Sequence, residues 1–309
     1  MSKKTDAKTT RTAKAKSAAN TGVYVPEVNP NYFILPAVES LFQRIETISR
    51  RGGRAQKCLL TGPHGAGKTE MAMQFAARME RPLLIMDCSN LREPRDWFGY
   101  RQIEKGKIAW HVSCFDRAVS SGGHVILLDE MNRVHPSVMN TLMPLLDGRE
   151  FTYLEEKGDI IRVGRDTVFF ASMNEGAGYT GTLATDLAVR DRFPRVVEVQ
   201  YLKKDKEIEL LTTRTNIGKA DAEKLVDIAN AIRKKSVGVG STFSGGFSTR
   251  QLLAVAEDFT IDGPDSLDFT LTNLFSAEGG TNSERAAALQ LVQGKFGHAK
   301  ASAKSRLGG

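Results

Sequence analysis

One short run holds the residues with the clearest chemical capacity: Gly62-Pro63-His64-Gly65-Ala66-Gly67-Lys68-Thr69, at the spacing G-x-x-x-x-G-K-[ST]. Glycines let a backbone fold into a nest of N–H groups around phosphates, and a helix beginning there adds its positive N-terminal end. Lys68 is placed to neutralise β- and γ-phosphate oxygens, and the Thr69 hydroxyl to ligate Mg²⁺. Glu70 opens the helical pattern that follows, through Met79. The chemistry expected of residues 62–70 is magnesium-dependent binding of ATP.

Hydrolysis needs further groups. The run Leu127-Leu128-Asp129-Glu130 delivers two carboxylates to the end of an apolar stretch, the edge at which open α/β sheets bind ligands. Asp129 is expected to support Mg²⁺ and its waters, and Glu130 to polarise the attacking water. A later run, Val168-Phe169-Phe170-Ala171-Ser172-Met173-Asn174, ends in an amide that could hydrogen-bond the γ-phosphate or the lytic water, or merely cap a turn. Arg190 and Arg192 in Ala188-Val189-Arg190-Asp191-Arg192-Phe193-Pro194 could reach a neighbouring subunit's nucleotide, or lie on a solvated loop.

These groups need a scaffold. Short apolar runs at Lys57–Thr61, Pro82–Asp87, His124–Asp129, Thr167–Ser172 and Val196–Val199 alternate with helical patterns. Runs this short and continuously apolar predict a parallel sheet buried on both faces, so the fold class is α/β, doubly wound. A lead-in helix is expected at Ala37–Ser49. Residues 202–296 carry helical periodicity without a convincing strand and predict a second, small helical domain after an α/β domain over 23–201. Its helices are expected at Lys206–Thr215, Ala220–Lys235, Thr249–Phe259, Leu267–Phe275 and Ser283–Gln293, with Gly238–Gly246 a flexible loop.

Two other segments bear on what such a domain could handle. Phe151, Tyr153, Leu154, Ile160, Ile161 and Val163 flank Glu156-Lys157-Gly158-Asp159 and predict a β-hairpin. Trp97-Phe98-Gly99-Tyr100 offers aromatics that could grip a substrate or pack on the sheet edge.

Composition excludes several classes. At 309 residues with 41% hydrophobic content, the chain can bury a core without disulfides. Its longest apolar runs are too short to span a bilayer. Cys58, Cys88 and Cys114 have no metal-ligand spacing, nor do His64, His111, His124, His135 and His298. The thiols read as reduced and mostly buried, in a cytoplasmic protein. The net charge of +7 sits at the ends: +5 in residues 1–20 and +4 in 295–309, leaving −2 for residues 21–294. Basic, disordered tails over 1–22 and 297–309 are expected, with nucleic-acid attraction confined to them.

The phrases TGPHGAGKTE, VILLDEMNR, ASMN, RDRFP and Ser248-Thr249-Arg250-Gln251-Leu252 together resemble AAA+ ATPases of the MoxR group, especially its CbbQ/NorQ-like and cobaltochelatase CobS-like branch. GYTGTLATDLAVRDRFP and STRQLL are specific to that branch, and the resemblance covers roughly residues 24–260. It implies a P-loop NTPase with a helical lid, in which Asn174 matches sensor 1, Arg192 the trans-acting finger and Arg250 sensor 2. Arg190 falls off the usual finger position. In related ATPases a hairpin such as 151–163 lies near the ring pore; it could equally do no more than bridge helix to strand. The resemblance further implies a homo-oligomeric, hexameric ring that remodels a protein or protein complex, often with a von Willebrand A-domain partner. The alternatives are the ATPase subunit of a metal chelatase, a nucleic-acid motor and a non-hydrolysing switch.

Overall fold

The computed structural model describes residues 22–174, 187–237, 240–278, 280 and 283–297. The expected tails, apart from residues 22 and 297, and the stretch from Gly178 to Asp186 within the phrase quoted above lie outside the described residues. The chain divides into two compact units, one with residues 22–62, 67–174 and 187–199, the other with 63–66 and residues from 200 on.

In chain order the strands of the first unit are β1 (Val23–Tyr24), β2 (Gln56–Gly62), β3 (Leu83–Asp87), β4 (Gly99–Glu104), β5 (Lys107–Val112), β6 (Val125–Asp129), β7 (Phe151–Leu154), β8 (Asp159–Arg162), β9 (Val168–Asn174) and β10 (Arg195–Glu198). Its helices are α1 (Pro36–Arg50), α2 (Lys68–Arg78), α3 (Arg95–Phe98), α4 (Cys114–Ser121), α5 (Pro136–Leu146) and α6 (Leu187–Asp191). The main sheet runs β1-β3-β6-β9-β2-β10, with β1 antiparallel to β3 and the remaining pairs parallel. Every residue of β9 is buried, as are Val125 to Leu128 of β6. That is the condition under which a strand loses its polar alternation. Register follows from this order: Gly62 pairs with Asn174 and Leu128 with Ala171, so β2, β6 and β9 end side by side.

Helices are fastened to this sheet by aromatic contacts. Pro36 begins α1, where its fixed φ suits the first turn. From α1, Phe42 meets Phe75 of α2 edge-on at 5.1 Å, and both rings meet Phe170 of β9, at 5.9 and 5.0 Å. Each such pair contributes about 0.5–1.5 kcal/mol beyond area burial. Cys58 and Cys88 are buried and Cys114 half-buried, all as free thiols. Burial pushes the Cys58 thiol up to about 12 and also raises that of Cys88.

Two hairpins stand apart from the main sheet, β4–β5 and β7–β8. The second is the hairpin expected at 151–163. The first lies in a segment with no strand expectation, because Arg101, Gln102, Glu104, Lys105 and Lys107 mix polar residues onto both faces and leave no period to read. Its approach settles the aromatic run: Trp97 and Phe98 are 0% and 1% exposed, and the Trp97 indole donates to Val138 O at 3.0 Å. These two rings pack in the core, so the gripping alternative fails for them; Tyr100 is exposed, beside His111 at 5.0 Å.

The second unit contains α7 (Lys204–Thr215), α8 (Lys219–Lys235), α9 (Thr249–Asp262), α10 (Leu267–Thr270) and α11 (Glu284–Phe296). Around Phe243, Phe247 and Phe275 these helices bury an apolar core of their own. The helix expected over Leu267–Phe275 stops at Thr270 and gives way to a 3₁₀ turn at Thr272–Leu274. Around this break Thr270 donates to Ser266 O and Thr272 to Asp268 O. No helix among the described residues is long and apolar enough to cross a membrane.

Candidate active site

The glycines of the 62–69 run answer to specific crowding. Gly62 has φ +139°, and a Cβ there would stand 2.1 Å from Val199 O. Gly65 has φ +68°, and its Cβ would meet the Ser248 Cβ at 2.5 Å. Pro63, His64, Gly65 and Ala66 thus form a tight turn within the second unit, with Ala66 N–H on Pro63 O at 3.4 Å and Tyr201 Oη donating to His64 O at 3.0 Å. Gly67 precedes α2, which begins at Lys68, as a phosphate cradle requires.

Lys68 is 6% exposed, and its ammonium donates to Gly62 O at 2.9 Å, inside the loop it is expected to serve. Thr69 Oγ1 donates to Asp129 Oδ2 at 2.9 Å, joining the start of α2 to the end of β6. A hydroxyl beside a carboxylate is an oxygen donor set of the kind Mg²⁺ takes in phosphate sites, so these residues fit the ion. Glu70 turns elsewhere: its carboxylate accepts from Asn29 Nδ2 at 3.3 Å and Gln74 Nε2 at 3.1 Å.

Around Glu130 the contacts are denser. Its backbone is left-handed, φ 53° and ψ 43°. Asn174 Nδ2 donates to Oε1 at 3.2 Å, and Arg133 Nε approaches Oε2 at 3.0 Å. Asn132 Nδ2 in turn donates to Asn174 O at 3.2 Å. The Ser172 hydroxyl donates to Asp129 Oδ1 and accepts the Glu130 N–H at 2.9 Å. The structure therefore brings Thr69, Asp129, Glu130 and Asn174 together, and the amide of Asn174 points at Glu130.

Ser172, Asn132 and Arg133 were not singled out in the sequence. A signal for Ser172 exists, since a hydroxyl inside a strand buried on both faces needs a partner. Arg190 is exposed on α6. Arg192, just beyond α6, is half-buried: its Nη1 donates to Ala188 O at 2.5 Å, and its Nε is buried with no hydrogen-bond partner among the described residues. Arg250 is exposed on the first turn of α9, a helix opened by a capping box in which Ser248 and Gln251 exchange hydrogen bonds.

The family profile of the AAA domain (dynein-related subfamily) matches residues 57–193, and that of the CbbQ/NirQ/NorQ C-terminal domain matches 207–292. BssE of Thauera aromatica, which bears a chaperone name, is 32% identical over 246 residues, covering 76% of this chain and 85% of its own. NorQ of Paracoccus denitrificans (strain Pd 1222) is 29% identical over 199 residues, 64% of this chain and 71% of its own. The AAA domain of FIGL-1, solved in complex with ADP, superposes with a TM-score of 0.53 at 15% identity over 94% of this chain and 92% of that one, a likeness of fold. The sheet order, the loop before α2, these profiles and the likeness to BssE make the chain a nucleotide-binding AAA+ ATPase of the MoxR type, with an AAA domain of the dynein-related subfamily followed by a CbbQ/NirQ/NorQ C-terminal domain.

Proposed function

We propose that this ATPase is a magnesium-dependent, homo-oligomeric ring motor that remodels a protein or protein complex. One observation carries the hydrolytic part: Thr69, Asp129, Ser172, Glu130 and Asn174 form a continuous hydrogen-bonded line across the ends of adjacent strands. In this reading Lys68 and the backbone of residues 62–67 hold the phosphates. Thr69 and Asp129 would hold Mg²⁺, which when bound would supply charge neutralisation to the phosphates. Glu130 takes the proton of the attacking water, and Asn174 fixes the direction of that carboxylate. Arg192 of a neighbouring subunit stabilises the charge that develops in transfer, and Arg250 serves the lid.

Lys68→Ala is expected to lose ATP binding in titration calorimetry, and Glu130→Gln to bind ATP without turning it over. Undiminished affinity in the first, or parental turnover in the second, would overturn these assignments. Ring assembly is expected as a hexamer in native mass spectrometry with ATP; a monomer under every nucleotide condition refutes it.

The remodelling role draws on the chaperone name of BssE and on the resemblance to MoxR-type ATPases, whose usual partner class is a von Willebrand A-domain protein. Stimulation of ATPase activity by such a partner would support it. The phrases GYTGTLATDLAVRDRFP and STRQLL, which resemble the CbbQ/NorQ-like and CobS-like branch, leave a chelatase alternative, for which metal insertion by a reconstituted complex is the deciding assay. Stimulation by DNA that disappears on deleting residues 1–20 would favour a nucleic-acid motor.

A further inference from the structure

We propose that Ser172 is a positioning residue that locks the metal-side carboxylate and the catalytic base to one another. The inference rests on the roles given above to Asp129 and Glu130. Ser172 lies in β9, 1% exposed, where its neighbour on β2 is Leu60. Its hydroxyl donates to Asp129 Oδ1 and accepts the Glu130 N–H at 2.9 Å.

The two bonds do different things. The first orients Asp129, whose other oxygen already accepts from Thr69 at 2.9 Å. The second satisfies the amide of Glu130, whose backbone occupies the left-handed region that L residues other than Asn and Asp rarely adopt. This conformation aims Glu130 at Asn174 rather than along the strand. A single hydroxyl thus touches both residues, and alanine would take the Ser172 donor from Asp129 Oδ1, leaving only Thr69 on that carboxylate, and would leave the Glu130 amide without this acceptor. Threonine keeps the hydroxyl.

Supporting groups of this kind typically change metal affinity or activity by about 10–100-fold when removed. In Ser172→Ala, kcat is expected to fall about 10-fold or more, while affinity for ATP in EDTA stays at the parental value. Mn²⁺ binding to the protein–ADP complex, read by electron paramagnetic resonance, is expected to weaken by a similar factor. Ser172→Thr is expected to recover both. Ser172→Cys, which keeps the volume with a weak donor, carries the same test if the alanine variant does not fold. Parental turnover together with parental Mn²⁺ affinity in a folded alanine or cysteine variant would overturn the proposal. Glu130→Gln run beside them separates the two failures: if it is inactive while Ser172→Ala is parental, only the role of Ser172 falls, whereas an active Glu130→Gln removes the base assignment itself.

Discussion

The side-chain amide of Asn174, at the end of β9, donates to Glu130 Oε1 at 3.2 Å, one residue beyond the end of β6. With Arg133 on the other oxygen, the carboxylate is held from two sides. Asn174→Ala is expected to lower kcat about 10-fold or more, the usual reach of a group positioning a general base, with ATP affinity unchanged. Asn174→Asp is expected to be worse, because it sets a second carboxylate against the first. Steady-state kinetics with calorimetric binding checks this; loss of affinity in step with kcat would place Asn174 on the phosphate instead.

A trans-acting finger makes the active site a shared one. Arg192 Nη1 donates to Ala188 O, and among the described residues its buried Nε has no hydrogen-bond partner. Arg192→Ala is expected to bind ATP and hydrolyse it on the order of 10³-fold more slowly. Mixing it with Glu130→Gln should restore part of the activity, at interfaces that pair an intact Glu130 with an intact Arg192. No recovery in mixed oligomers verified by native mass spectrometry would exclude the trans role, and Arg190→Ala provides the parallel test.

In the second unit a buried ion pair holds the start of α9. Arg233 Nη1 and Nη2 donate to the two Glu207 oxygens at 2.7 and 2.8 Å, Arg233 Nε donates to Phe247 O at 2.7 Å, and Thr249 Oγ1 donates to Glu207 at 2.9 Å. Glu207 is 0% exposed. Glu207→Ala leaves a buried guanidinium without its counter-charge and is expected to cost about 3–5 kcal/mol in urea unfolding. Replacing both partners by Met should be milder, and a double replacement as damaging as the single one would show that the carbonyl and hydroxyl contacts dominate.

Acid should loosen the same unit at a second point. Asp227 accepts from Lys204 and from Lys295, each at 2.7 Å, tying α8 to the first residue of α7 and to α11. Hydrogen bonds from Lys204 and then Lys295 hold its carboxyl below the ordinary 3.8. A folded-state value below the unfolded one gives stabilisation that is complete above the unfolded value and is lost as pH falls through the folded one. Unfolding midpoints are therefore expected to show no contribution from Asp227 to pH dependence between pH 7 and 5, and a decline below about pH 4 that is smaller in Asp227→Asn. The effect should shrink in high salt, because the cluster is only half-buried.

How much of this was legible in the chain depended on whether the chemistry is local. Phosphate binding needs consecutive residues, so Gly62–Thr69 declares itself, and a strand covered on both faces is largely apolar, so Val125–Leu128 and Val168–Ala171 are readable as parts of a buried sheet. The hairpin β7–β8 shows through its turn and alternation, whereas β4–β5, exposed along most of β4 and half of β5, has no pattern that burial would impose. Trp97 and Phe98 could be read from sequence as gripping a substrate or packing on the sheet edge, and only their burial decided against grip. The contacts of the candidate site were the least legible. Glu130 meets Ser172 and Asn174 across 42 and 44 positions of sequence, and what brings them together is the adjacency of β6 and β9 and the register Leu128 to Ala171. By itself the sequence determined which residue types are available for nucleotide chemistry and which runs must be buried. Tertiary structure alone decided that a serine with no motif of its own stands between the two carboxylates, because a hydrogen bond depends on distance in space, set by strand order, and not on spacing along the chain.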